Sequence, residues 1–81
     1  MNTIDILQEF IIDIAPTINL ESIKPESKFD ELRIDSLDLI DLLFEVESRL
    51  DIKLGNDFQN IETIQDLITK IETIKAINHG N

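Results

Sequence analysis

The stretch Asp35-Ser36-Leu37-Asp38-Leu39-Ile40-Asp41-Leu42-Leu43-Phe44-Glu45-Val46-Glu47-Ser48-Arg49-Leu50 decides how this chain folds. At about 100° per residue from Ser36, the side chains of Leu39, Leu42, Leu43, Val46 and Leu50 gather in one broad sector. That sector predicts an amphipathic helix from Ser36 to about Leu50 with its core face there. Leu37, Ile40 and Phe44 fall in a second sector, roughly 100° or more from the centre of the first. Asp38, Asp41 and Glu45 lie beside them, with Glu47 and Asp51 on the other flank. This helix has more apolar surface than one core face needs, and the excess is bordered by acids.

On the N-terminal side, residues 16–35 form an irregular connection that begins at Pro16 and has Pro25 within it. Ile18, Leu20, Ile23, Phe29 and Leu32 suggest that it packs onto the core as it passes. Structureless loops beyond roughly 12–15 residues are uncommon and often functional, so this one calls for an explanation. Before it, Ile4, Leu7, Ile11 and Ile14 recur at helical spacing, with Ile6 and Phe10 alongside. Asn2 or Thr3 is the candidate cap, and Pro16 stops the helix by restricting the residue before it. On the C-terminal side, Gly55-Asn56-Asp57 reads as a turn, with a short helical turn expected around Phe58. Thr63 and Asp66 have the spacing of a capping box, and Ile64, Leu67, Ile68, Ile71 and Ile74 form the stripe of a last helix. Residues 76–81 are expected to fray. The expected fold is all-α: one domain over residues 1–81, an up-and-down bundle of three main helices plus a short extra helix, with a long loop between the first two.

Composition limits what such a domain does. The 81 residues carry 7 Lys and Arg against 17 Asp and Glu, a formal net charge of −10. Phosphate-rich surfaces would repel the chain, so neither a nucleic acid nor a membrane is expected as a partner. Yet 42% of the residues are hydrophobic, with 2 Gly and 2 Pro, which is enough apolar material to fold. There is no Cys, so disulfides, a zinc–thiolate cluster and a protein-borne thiol are excluded. Charges break every apolar run, which argues against a membrane span, and no leader is visible before Ile4. A monomeric, cytoplasmic module is the expectation.

Asp35-Ser36-Leu37-Asp38 stands where the loop meets the helix. Its plain reading is capping: Asp35 as N-cap, with Asp38 near the positive end of the helix dipole. Ser36 lacks the surroundings of a nucleophile. The single His is His79, near the C-terminus, and no glycine-flanked elbow is present. A serine in the first helical turn is better placed to carry a phosphate ester, because backbone N–H groups and the dipole favour an anion there. A calcium loop from Asp51 to Glu62 fails: Lys53 and Gly55 occupy ligand positions, and Asn56 stands where glycine is needed.

The run from Phe29 to Glu47 resembles the signature of acyl carrier proteins. The likeness continues through Leu50-Asp51-Ile52-Lys53-Leu54 and resumes at Ile61-Glu62-Thr63-Ile64-Gln65-Asp66-Leu67. The Asp-Ser-Leu core is common by itself; its specificity comes from this context, length and charge.

The resemblance implies a carrier without catalytic activity. Its 4′-phosphopantetheine arm would be attached to Ser36 by a magnesium-dependent phosphopantetheinyl transferase, and the arm's thiol would hold acyl groups as thioesters. Fatty-acid, polyketide or specialised lipid synthesis is the implied setting. The missing cysteine agrees, since the sulfur belongs to the prosthetic group. The second helix would dock acyl-transferring and synthase enzymes bearing basic patches, through Asp35, Asp38, Asp41 and Glu47 with Leu37, Ile40 and Phe44. Leu42, Val46, Leu54, Ile61 and Leu67 match positions that surround a tucked acyl chain, and they serve equally as core. An aminoacyl or peptidyl carrier is the nearest alternative, and an acidic adaptor without an arm is another. The family often has Gly where this chain has Arg33. Arginine would be strained at positive φ, so the loop is expected to differ there.

Overall fold

The computed structural model describes residues 2–55 and 60–79. Helix α1 spans Thr3–Ile14, α2 spans Ser36–Leu50 and α3 spans Ile64–His79, with a 3-10 turn at Leu20–Ser22 in the long connection. The all-helical fold with a long first loop is as expected. The short turn expected around Phe58 lies outside the described residues.

Helix α1 packs against both α2 and α3. Its core-facing Leu7, Phe10 and Ile11 meet Leu39, Leu42, Leu43 and Val46 of α2 and Ile64, Leu67, Ile68 and Ile71 of α3 in one cluster. The stripes read from the sequence are therefore the faces that are buried. Neither Asn2 nor Thr3 caps α1 with its side chain. The buried Thr3 hydroxyl instead donates to Glu72 Oε2 at 3.3 Å, linking α1 to α3. Helix α1 ends at Ile14, with Ala15 as its C-cap immediately before Pro16. At the other end of the chain, α3 continues to His79. No helix breaker follows until Gly80, so backbone propensity carries the helix beyond its packed stripe.

The long loop is held from three sides. Ile23 is buried and its carbonyl accepts from Gln8 Nε2 of α1 at 3.0 Å. Ser27 Oγ donates to the Ser22 carbonyl and accepts from Lys24 N–H. Phe29, Leu32 and Ile34 enter the core, whereas Leu20 is 52% exposed and does not pack as expected.

The third support comes from α3. A helix start leaves N–H groups without intrahelical partners, and here the loop supplies acceptors. Ile64 N–H donates to the Ser27 carbonyl at 2.9 Å and Gln65 N–H to the Pro25 carbonyl at 2.8 Å. Phe29 N–H donates to the Glu62 carbonyl, and Lys28 and Thr63 form an isolated antiparallel bridge.

The remaining donors are closed by the expected capping box. Asp66 N–H donates to Thr63 Oγ1 at 3.1 Å, and Asp66 Oδ2 accepts from Thr63 N–H at 3.0 Å and Glu62 N–H at 2.9 Å. The Glu62 N–H bond, then that of Thr63, holds the Asp66 carboxyl below the usual carboxylate range, against a small opposing effect of burial. Because the folded pKa is depressed, this stabilisation is present above the unfolded pKa and is lost as pH falls through the folded value. Asp66→Ala should cost about 1 kcal/mol at neutral pH. Urea melts of wild type and variant should converge as the pH drops below the carboxylate range. A gap that stayed constant to low pH would show that the charge of Asp66 contributes nothing.

Candidate functional site

Helix α2 begins at Ser36 because Asp35 turns the chain and caps it. Asp35 is extended (φ −82°, ψ −174°) and its Oδ1 accepts from Asp38 N–H at 2.9 Å. Ser36 is exposed, and among the described residues its hydroxyl has no hydrogen-bond partner. It opens onto a groove of about 640 Å³ whose apolar wall is Phe29, Ile34, Leu39 and Ile61, with Lys28 and Glu62 at its edge. The sequence did not single out Lys28 or Glu62. The groove exists because residues 25–29 are held against the start of α3, a pairing with no local sequence signal.

The turn leading into α2 explains Arg33. Arg33 N–H donates to the Asp30 carbonyl and Ile34 N–H reaches back to the Phe29 carbonyl, both at 3.0 Å. This pair of bonds closes a helical turn through a residue in the left-handed region. Arg33 is that residue, with φ 61°. The expectation that the loop would differ here is thus overturned. The turn must reverse within two residues so that Leu32 and Ile34, on either side of Arg33, both reach the core. For a residue with a Cβ this conformation costs roughly 1–2 kcal/mol. Asp51, with φ 54°, closes the C-terminus of α2 by the same device: Ile52 N–H donates to the Glu47 carbonyl. Gly55, at φ 75°, takes a left-handed position without that cost.

The outer face of α2 is divided along its length. Leu37 is 73% exposed and Phe44 63% exposed, with Ile40 half-buried between them. Asp35, Asp38 and Asp41 border the first half of this stripe; Asp35 and Asp41 are exposed and Asp38 is half-buried. In the second half the acids are engaged within the molecule. Glu45 pairs with Arg49 at 2.9 Å, and the Arg49 guanidinium also stands 5.4 Å from the centre of the Phe10 ring. Glu47 Oε2 accepts from Leu54 N–H at 2.7 Å, fixing the segment after α2. The candidate acyl-pocket residues Leu42, Val46, Leu54, Ile61 and Leu67 are all buried in the core cluster.

The profile of the phosphopantetheine attachment site family matches residues 5–71, from α1 through the first half of α3. The chain belongs to the acyl carrier protein family. An acyl carrier protein of Chlorobium phaeobacteroides is 39% identical over 70 residues, covering 80% of this chain and 90% of that protein. One from Wolinella succinogenes is 32% identical over 77 residues, covering 93% of this chain and all of that protein. One from Chlorobium phaeovibrioides reaches 43% over 56 residues, covering 67% and 72%. Like other members of the family, the chain is a non-catalytic carrier of phosphopantetheine-linked intermediates. Family membership implies two kinds of partner, a phosphopantetheinyl transferase and acyl-handling enzymes. Among the described residues no helix is long and apolar enough to cross a membrane.

Proposed function

We propose that this carrier holds its 4′-phosphopantetheine on Ser36 and serves fatty-acid synthesis or a related acyl pathway as a cytoplasmic monomer. The observation that carries the assignment is the placement of the Ser36 hydroxyl. It is exposed and unengaged at the first turn of a 15-residue helix, facing an apolar groove. The residues fit the group. The open first turn favours the phosphodiester, and the groove offers an apolar wall to the rest of the arm. When bound, the arm supplies a thiol that holds cargo as a thioester. Ser36 presents the arm, α2 fixes its direction, and Phe29, Ile34 and Leu39 shield one side of it from water. Ile61 belongs to both the groove and the core. It is therefore the point where a cargo chain would pass inward toward Leu42, Val46, Leu54 and Leu67.

The test is intact-mass analysis after incubation with coenzyme A, magnesium and a broad-specificity transferase. One arm should be gained, and fragmentation should place it on Ser36. An arm on Ser22, Ser27 or Ser48, or no gain with several transferases, would overturn the assignment.

Docking is assigned to the first half of α2. Leu37, Ile40 and Phe44 provide apolar contacts, and Asp35, Asp38 and Asp41 meet basic groups on the partner. Glu47, with one oxygen already bonded to Leu54 N–H, contributes through the other. Paired Asp38→Lys and Asp41→Lys changes should lower kcat/KM for arm loading roughly 10- to 100-fold at low salt, through slower encounter, with unchanged helicity. Equal kcat/KM for the variant and wild type would remove the docking assignment.

A further inference from the structure

The turn at Arg33 is explained by its neighbours, but the arginine itself is not. Its backbone sits at φ 61°, a conformation that glycine adopts freely and arginine does not. Its side chain gives nothing back to the fold. The residue is exposed, and among the described residues its guanidinium has no ion pair or hydrogen bond, although Asp30, Glu31 and Asp35 are near in sequence. Glu31 is engaged with Lys28 N–H at 3.2 Å, and Asp35 with Asp38 N–H. The fold accounts for the turn but not for an arginine where glycine would be free of strain, and that choice of residue points to a role outside the fold. Arg33 is also absent from the lining of the Ser36 groove, which its neighbours Asp30 and Ile34 do line, so it does not face the path of the arm.

Its position defines who meets it. Arg33 stands three residue steps before Ser36, at most about 11 Å of extended chain. A standard interface covers about 800 Å² per partner, a disc of roughly 16 Å radius. A partner whose contact area is centred on Ser36 therefore reaches as far as Arg33.

We propose that Arg33 is a specificity-determining residue of the docking face. It selects partners that present a carboxylate to it beside the basic groups that meet Asp35, Asp38 and Asp41. A uniformly basic patch would place a like charge against the guanidinium and be disfavoured, so the cation acts chiefly by excluding wrong partners. This inference rests on the docking assignment for α2.

The experiment measures arm loading by the native transferase on wild type, Arg33→Glu, Arg33→Lys and Asp38→Lys at low and high salt. Arg33→Glu should lower kcat/KM roughly tenfold or more, through KM, and the loss should shrink with salt. Arg33→Lys should keep kcat/KM within about threefold of wild type, as a charge at the same place requires. If Asp38→Lys is impaired while Arg33→Glu equals or exceeds wild type, docking stands and this inference falls. If both variants load normally, the docking assignment falls and takes this one with it. A second readout guards against an internal partner: the Arg33 Nε–H resonance should be the same in the isolated apo and arm-bearing proteins. A shift on arm attachment would place the counter-anion on the arm's own phosphodiester and overturn the choice of a partner carboxylate.

Discussion

A Ser36→Ala chain should gain no arm at all, yet melt within about 0.5 kcal/mol of wild type. Loss of loading should be complete, because the hydroxyl oxygen itself becomes the ester oxygen and nothing next to it replaces it. The fold should not notice. Ser36 is exposed, and the cap that starts α2 is made by Asp35 to Asp38 N–H, which the substitution leaves in place. Alanine is also the best helix former for a first-turn position. Intact mass and a urea melt on one preparation check both halves. Residual loading would place the attachment elsewhere. A large loss of stability would mean that the hydroxyl has a structural role absent from this structure.

The second large effect runs the other way, with stability lost and the site untouched. Leu42 of α2 is fully buried in the core cluster. Leu42→Ala should cost about 2–5 kcal/mol by lost transfer energy and the cavity left behind. A domain of this size has about 4–12 kcal/mol in total, so a large share of the stability is at stake. Urea unfolding should show a lower midpoint with an unchanged slope. Phe44→Ala is the control on the same helix. Its side chain is 63% exposed, so its removal should move the midpoint little. If the two substitutions had similar effects, the division of α2 into a core face and an outer face would be wrong.

That division was legible before any coordinates, because a 3.6-residue period separates Leu39, Leu42, Leu43 and Val46 from Leu37, Ile40 and Phe44 without reference to the rest of the chain. The capping box at Thr63 and Asp66 was legible for the same reason: both partners lie within one turn. The features that sequence reasoning missed all depend on distant partners. The Ser27 and Pro25 carbonyls that receive the first N–H groups of α3 lie far upstream of that helix. The groove beside Ser36 follows from that docking. The left-handed backbone at Arg33 was misjudged because the residue type argues against it. The reversal is imposed by the burial of Leu32 and Ile34, and the needs of two core residues outweighed the preference of one exposed residue. Thr3 was considered as a cap, but Glu72, on another helix, claims its hydroxyl.

Arg49 joins Glu45 to the Phe10 ring, and Glu47 holds Leu54, so the charges in the second half of α2 belong to the architecture. In the first half, apart from the Asp35 cap, they do not. The helix is therefore two territories with different duties. The outer-face positions from Leu37 to Asp41 can be altered to change which partner docks without endangering the scaffold. Glu45, Glu47 and Arg49 are tied to α1 and to the chain beyond α2, so a change at one of them alters the scaffold, by about 1 kcal/mol or less for the exposed pair, as well as the surface. New partnerships for such a carrier would arise near the serine end of the helix.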